Sequence, residues 1–131
     1  MTIPEALFPN VTLRLPNTTR NGNILVMQKL GLNLDELFKT CGRHFCKETV
    51  AKIGIAMIDH IEHLHLHGLL HLDMKLGNFV IGNISKSKSE KDFKELAQKI
   101  FMIDFGVSKS WQTIDGSHIR YRTNVGLSGW C

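Results

Sequence analysis

Hydrophobic positions fall into four kinds of run along this chain, and their order predicts a mixed α+β fold. Val11 to Leu15 and Ile24 to Gln28 are short β-prone runs separated by Pro16-Asn17-Thr18-Thr19-Arg20-Asn21-Gly22-Asn23, which is almost entirely turn chemistry. This pattern predicts a hairpin. Asn33 then precedes Leu34, Leu37 and Phe38, with Asp35 and Glu36 in the first turn, the arrangement of a short capped helix ending near Gly42. Val50, Ile53, Met57, Ile61 and Leu64 recur at steps of three and four, so one amphipathic helix is expected over roughly residues 47 to 67, its stripe packed on a core. Gly68 follows where a left-handed helix cap is usual.

Phe79 to Ile81 and Ile100 to Ile103 are apolar and strand-like, and they flank a polar stretch from Asn83 to Lys99. Ser85, Ser87 and Ser89 lie among lysines at its start and read as a flexible linker. Phe93, Leu96 and Ile100 then fall at helical spacing, which points to a short helix between the strands. From Val107 to Cys131 there is no sustained period, and this part reads as a long loop.

Composition narrows the class without deciding it. The chain has 131 residues, 43% hydrophobic and 21% charged, enough for one globular domain and unlike a disordered segment. No run of about 18 apolar residues and no basic-then-apolar leader occurs, so a soluble, intracellular protein with no membrane role is expected. Cys41, Cys46 and Cys131 lack paired spacing, which argues against a disulfide framework or a zinc site. Asn-x-Ser/Thr triplets at Asn10, Asn17 and Asn83 read as chance. A net charge of +4 suits phosphate or acidic-peptide handling, and without stacked-aromatic motifs or a basic helix no nucleic-acid partner is expected. His60, His63, His65 and His67 crowd one helix, and His63 with His67 has the spacing of a metal pair; a solvated helix face is the preferred reading.

The chemistry concentrates in His71-Leu72-Asp73-Met74-Lys75-Leu76-Gly77-Asn78, followed by Asp104-Phe105-Gly106. Phosphoryl transfer needs a carboxylate near the attacking hydroxyl, a cation on the transferring phosphate, and oxygen ligands for magnesium. Asp73, Lys75, and Asn78 with Asp104 supply these in order. The bland alternative is that Asp73, Lys75 and Asn78 only cap turns, and the ordered set of motifs weighs against it.

The segment resembles the catalytic loop of protein kinases, with lysine two places after the aspartate as in serine/threonine enzymes. Three further stretches resemble casein kinase I and its relatives: the hinge and following helix in Met27 to Phe38, the metal loop Ile103 to Lys109, and the activation segment His118-Ile119-Arg120-Tyr121-Arg122 with Asn124, Leu127 and Gly129. The match runs from about Val11 to Gly129. The resemblance implies a partial protein-kinase-like fold, with residues 1–30 ending the small lobe and hinge and 31–131 carrying the mainly helical large lobe through the activation segment. It implies ATP and Mg²⁺ as cofactors and a protein Ser/Thr acceptor, acidic or already phosphorylated given Lys109, His118, Arg120 and Arg122. By the same resemblance Met27, Gln28, Leu30, Val80 and Ile103 would contact adenine, Asp73 and Lys75 would be catalytic, Asn78 and Asp104 would hold the metal, and His71 would stack with Phe105.

The chain also departs from that family. Leu72 stands where arginine is usual, Leu76 and Gly77 replace Pro-Asp, the Val80 to Ile100 connection is longer, and Trp130-Cys131 breaks the pattern. No glycine-rich loop or Val-Ala-x-Lys precedes Met27, so weak or absent activity of these 131 residues alone is expected. The alternatives are a non-catalytic pseudokinase or interaction module, and a small-molecule phosphotransferase, against which Lys75 and His118 to Arg122 argue.

Overall fold

A computed structural model describes the backbone of residues 11–14, 24–113 and 115–120. Two short strands, β1 (Val11–Arg14) and β2 (Ile24–Met27), pair antiparallel with Val11 opposite Met27, so the predicted hairpin forms. Its turn, residues 15–23, lies outside the described residues. Helix α1 (Leu34–Thr40) starts where the sequence predicts, because Asn33 closes a reciprocal cap: its side chain accepts from the Glu36 N–H and the Glu36 carboxylate accepts from the Asn33 N–H. The helix stops at a Gly42–Arg43 pair, both with positive φ.

Helix α2 (Lys47–Leu66) forms the spine of the molecule. Leu64 is buried and Ile53, Met57 and Ile61 pack against the core, as their spacing predicts. Val50 does not: it is 55% exposed, so the period of the stripe continues past the residues that are packed on the core. Ile55, Ile58 and Leu66 on the same helix are likewise exposed. The histidines also correct the expectation of a solvated face. His60 is buried, its ring edge-on to Phe79 at 6.0 Å between centroids, while His63 and His67 are half-buried and His65 is exposed. Among the described residues no three His, Cys, Asp or Glu side chains form a metal cluster, and no helix is long and apolar enough to cross a membrane.

Gly68 ends α2 in the left-handed region, and β3 (Leu69–Leu70) leads into the polar loop of interest. A 3-10 turn (Leu76–Asn78) then feeds β4 (Phe79–Ile81), which pairs antiparallel with β5 (Ile100–Met102), Phe79 opposite Met102. All three β4 residues are buried, which is why this run shows no alternation of polar and apolar positions. Between them stand a second 3-10 turn (Ile84–Lys86) and helix α3 (Glu90–Gln98), the short helix expected from spacing. The core gathers Leu34, Leu64, Phe79, Ile81 and Met102 from α1, α2, β4 and β5. At about 1.5–3 kcal/mol for each fully buried apolar side chain, this cluster is the main support for everything placed around it.

The expected long loop after Val107 is more ordered than its sequence suggests. Strand β6 (Lys109–Ser110) pairs antiparallel with β3, a bridge joins Gln112 to His118, and the Trp111 indole N–H donates to the His65 carbonyl at 3.1 Å. Residues 121–131, with Arg122 and the rest of the activation-segment motif, lie outside the described residues.

Candidate active site

Two loops meet above the core, the first between β3 and β4 and the second between β5 and β6. Lys75 Nζ donates to Asp73 Oδ2 at 2.6 Å, and Asn78 Nδ2 donates to both the Asp73 carbonyl and Oδ2, at 2.8 and 2.9 Å. The lysine bond, then the Asn78 bond, hold the Asp73 carboxyl below the usual carboxylate range. The same carboxylate pushes the Lys75 ammonium above the usual lysine value, with Asp104 adding to the effect. Asn78 itself is buried, and with both amide N–H groups committed to Asp73 its carbonyl oxygen remains as an acceptor.

The second loop is tied to the first at several points. The Ile103 N–H donates to the Asn78 carbonyl at 3.0 Å, and His71 Nε2 bonds the Ile103 carbonyl at 2.9 Å. The Asp73 N–H donates to His71 Nδ1 at 3.3 Å, so Nε2 is the donor in the bond to Ile103. His71 and Phe105 pack ring to ring at 5.0 Å, and Ser108 Oγ donates to the His71 carbonyl. Leu72 (φ 67) and Asp104 (φ 64) both occupy the left-handed region, one in each loop. Asp104 Oδ1 accepts from the Gly106 N–H across its own turn. Asn78 and Asp104 thus offer oxygen donors from two joined loops, the chemistry of a hard divalent cation that keeps most of its water and phosphate ligands.

Beside these loops runs a groove of about 280 Å³ lined by Met27, Gln28, Leu30, Gly31, Asn33, Glu36, Val80 and Ile103. All five positions named for adenine contact fall on it. Asn33, Glu36 and Gly31 line it as well; the Asn-x-x-Glu spacing marks a helix cap in the sequence, but no local signal says that the cap faces a groove. The floor comes from β4, and residues 31–33 are laid along its edge opposite β5: the Gly31 N–H donates to the Ile81 carbonyl at 2.9 Å, the Ile81 N–H to the Leu32 carbonyl at 3.0 Å, and Asn33 bridges Val80.

No protein-family model matches this chain. Among curated proteins it is 40% identical over 108 residues to casein kinase I homolog 2 of Saccharomyces cerevisiae, an alignment covering 82% of this chain and 18% of that protein. It is 40% identical over 108 residues to casein kinase I homolog 1 of the same yeast, covering 82% and 19%. A third relative, casein kinase I homolog 3, is 35% identical over 116 residues, covering 82% and 22%. The chain belongs to the casein kinase I family. It spans about a fifth of the length of the curated relatives it matches. The partial kinase-like α+β fold read from the motifs agrees with this membership and with the small antiparallel sheets of the structure. Within this casein kinase I chain, the basic residues Lys109, His118 and Arg120 are all exposed on the β6 side, while Arg122 lies outside the described residues.

Proposed function

We propose that this chain carries the nucleotide and catalytic loops of a serine/threonine protein kinase that transfers the γ-phosphoryl group of ATP to a protein hydroxyl. The observation that carries this reading is the convergence of Asp73, Lys75 and Asn78 in one hydrogen-bonded set, beside a groove lined by Met27, Leu30, Val80 and Ile103. In this reading residues 1–30 end the small lobe and hinge, and 31–131 begin the large lobe.

The chemistry follows from the state of each group. Asp73, kept ionised by Lys75 and Asn78, is a weak base, so it orients the acceptor hydroxyl and takes its proton only as the new bond forms. One of its oxygens is engaged by Lys75 and Asn78, which leaves the other for that hydroxyl. Lys75, exposed and strongly cationic, swings from Asp73 to the transferring phosphate. Asn78 and Asp104 would hold Mg²⁺, which when bound neutralises charge on the β- and γ-phosphates. The apolar walls of the groove would take the adenine ring, and the hinge backbone at Gln28 and Leu30 its polar edge. The exposed cations Lys109, His118 and Arg120 favour an acidic or phosphorylated substrate.

The test is calorimetric titration of the 131-residue chain with ATP in the presence and absence of Mg²⁺, with Asp104→Ala alongside. Mg²⁺-dependent binding that the variant loses supports the site; a folded chain that binds no ATP under either condition would sink it and favour an interaction module.

A further inference from the structure

The hinge owes its position to a contact that involves no side chain. Gly31 has an ordinary backbone conformation, so nothing about φ requires glycine there. Space requires it. A Cβ at residue 31 would lie 2.7 Å from the Gly82 carbonyl oxygen, 3.0 Å from Ile81 Cγ1 and 3.2 Å from the Ile81 carbonyl oxygen. Two of these three neighbours are backbone atoms, which cannot rotate away. The same residue lines the groove and makes the 2.9 Å bond to Ile81 that seats the hinge on β4.

Gly82 is equally fixed from behind. Its N–H donates to the Lys99 carbonyl at 2.9 Å, closing the excursion from Asn83 to Lys99 at its root. Next to it, the buried Asn83 side chain accepts from the N–H and the hydroxyl of Ser85, holding the first turn of that excursion. The hinge, β4 and the root of the excursion are therefore in direct backbone contact.

We propose that Gly31 is a positioning residue for the adenine-facing wall of the groove, and that it transmits the position of the Gly82–Asn83 root to the hinge. The inference rests on the reading of the groove as a nucleotide site only where affinity is concerned; the brace itself is a property of the chain. A methyl group at residue 31 must displace the hinge from β4 by a few tenths of an ångström or more, which lengthens the two hinge bonds and moves Leu30 and Gln28 with them.

The experiment compares the wild-type chain with Gly31→Ala, Asn83→Ala and the control Gly54→Ala, whose added methyl meets nothing within 4 Å. Amide hydrogen exchange is followed at residues 31 and 81, with Phe101 on β5 as the internal reference, together with thermal stability and adenosine affinity. The expected result is faster exchange at 31 and 81 in Gly31→Ala, faster exchange at 31 in Asn83→Ala, little change at Phe101, and no such pattern in Gly54→Ala. Adenosine affinity should fall roughly tenfold in Gly31→Ala, the size expected when one hydrogen bond is misplaced. Unchanged exchange at 31 and 81 in both Gly31→Ala and Asn83→Ala overturns the brace. A lowered melting temperature with unchanged adenosine affinity overturns the positioning role and leaves Gly31 merely structural. If Gly31→Ala does not fold, Asn83→Ala decides the matter through exchange at residue 31. Absence of adenosine binding by the wild-type chain counts against the nucleotide reading alone, since the exchange pattern still decides the brace.

Discussion

Replacing Asn78 by Asp changes one amino group to an oxygen and leaves the shape of the side chain intact, so its consequences come almost entirely from hydrogen bonding and charge. In the wild-type chain the carboxamide of Asn78 donates to the Asp73 carbonyl at 2.8 Å and to Asp73 Oδ2 at 2.9 Å. In Asn78→Asp both contacts set acceptor against acceptor. Leaving a buried polar group without its partner costs about 1–3 kcal/mol, so two lost donations at this buried residue set a destabilisation of about 2–6 kcal/mol. With a urea m-value of about 2 kcal/mol/M, the unfolding midpoint should fall by roughly 1–3 M. The pH dependence has a definite sign. The folded pKa of Asp73 is depressed, so its contribution is present above the unfolded carboxyl value and is lost as pH falls through the folded one. In Asn78→Asp two carboxylates face each other, and a shared proton at low pH restores one donor. The wild type therefore gains, relative to the variant, as pH rises through the acid range. Urea unfolding at about pH 4 and about pH 7.5 reads this directly. A deficit that is the same at both pH values, or below about 1 kcal/mol at neutral pH, would refute the argument.

Phe79→Ala should destabilise by about 3–5 kcal/mol in chemical denaturation, since Phe79 is fully buried between the core cluster and His60; a loss below about 1.5 kcal/mol would mean the core collapses around the gap. Asn33→Ala removes the acceptor that caps α1 and should cost about 1 kcal/mol, with Asn33→Ser or Asn33→Asp recovering most of it. Lys75→Met removes the largest cause of the Asp73 depression and the group whose own pKa is raised. The stability it takes away is present at neutral pH and is lost in the wild type both as pH falls through the depressed carboxyl value and as it rises through the raised lysine value. The variant should show a flatter profile at both ends, and an unchanged alkaline limb would contradict the pairing.

The local signals in the sequence carried much of this structure, and they failed where the deciding partner is remote. The Asn33 cap, the α2 period and the cap at Gly68 depend on neighbours within a turn or two, and all three appear where spacing puts them. Strands β3 and β6 have two residues each and are separated by nearly forty positions; no periodicity exists at that length, so the segment after Val107 reads as loop. His60 fails for a related reason. Its place beside the apolar stripe suggests solvent, but Phe79 arrives from β4 and covers it. Val50 fails in the opposite sense, carrying the stripe's period at a place that none of the described elements covers. The loop motifs gave the order of the chemical groups, and the five groove residues came from family resemblance; neither could reveal that Gly31 touches Gly82 or that Asn78 anchors Asp73 through two bonds.

The strain in the two loops explains why so many ties run between them. Leu72 and Asp104 each hold a left-handed backbone, which costs about 1–3 kcal/mol for a residue with a side chain and persists only when surrounding contacts enforce it. Those contacts are present and they cross from loop to loop: His71 bonds Ile103, Ile103 bonds Asn78, Ser108 bonds His71, and the rings of His71 and Phe105 stack. None of them involves the side chain of Leu72 or Asp104. The strained residues are thus fixed by their neighbours, which leaves the Asp104 carboxylate exposed and the Leu72 side chain at the surface. Leucine at residue 72 presents no charge at that surface, where the resemblance would put arginine, and none of the contacts that join Asp73, Asn78 and Ile103 uses its side chain. In this chain the geometry of the two loops is therefore set by backbone and ring contacts and does not depend on a charge at residue 72.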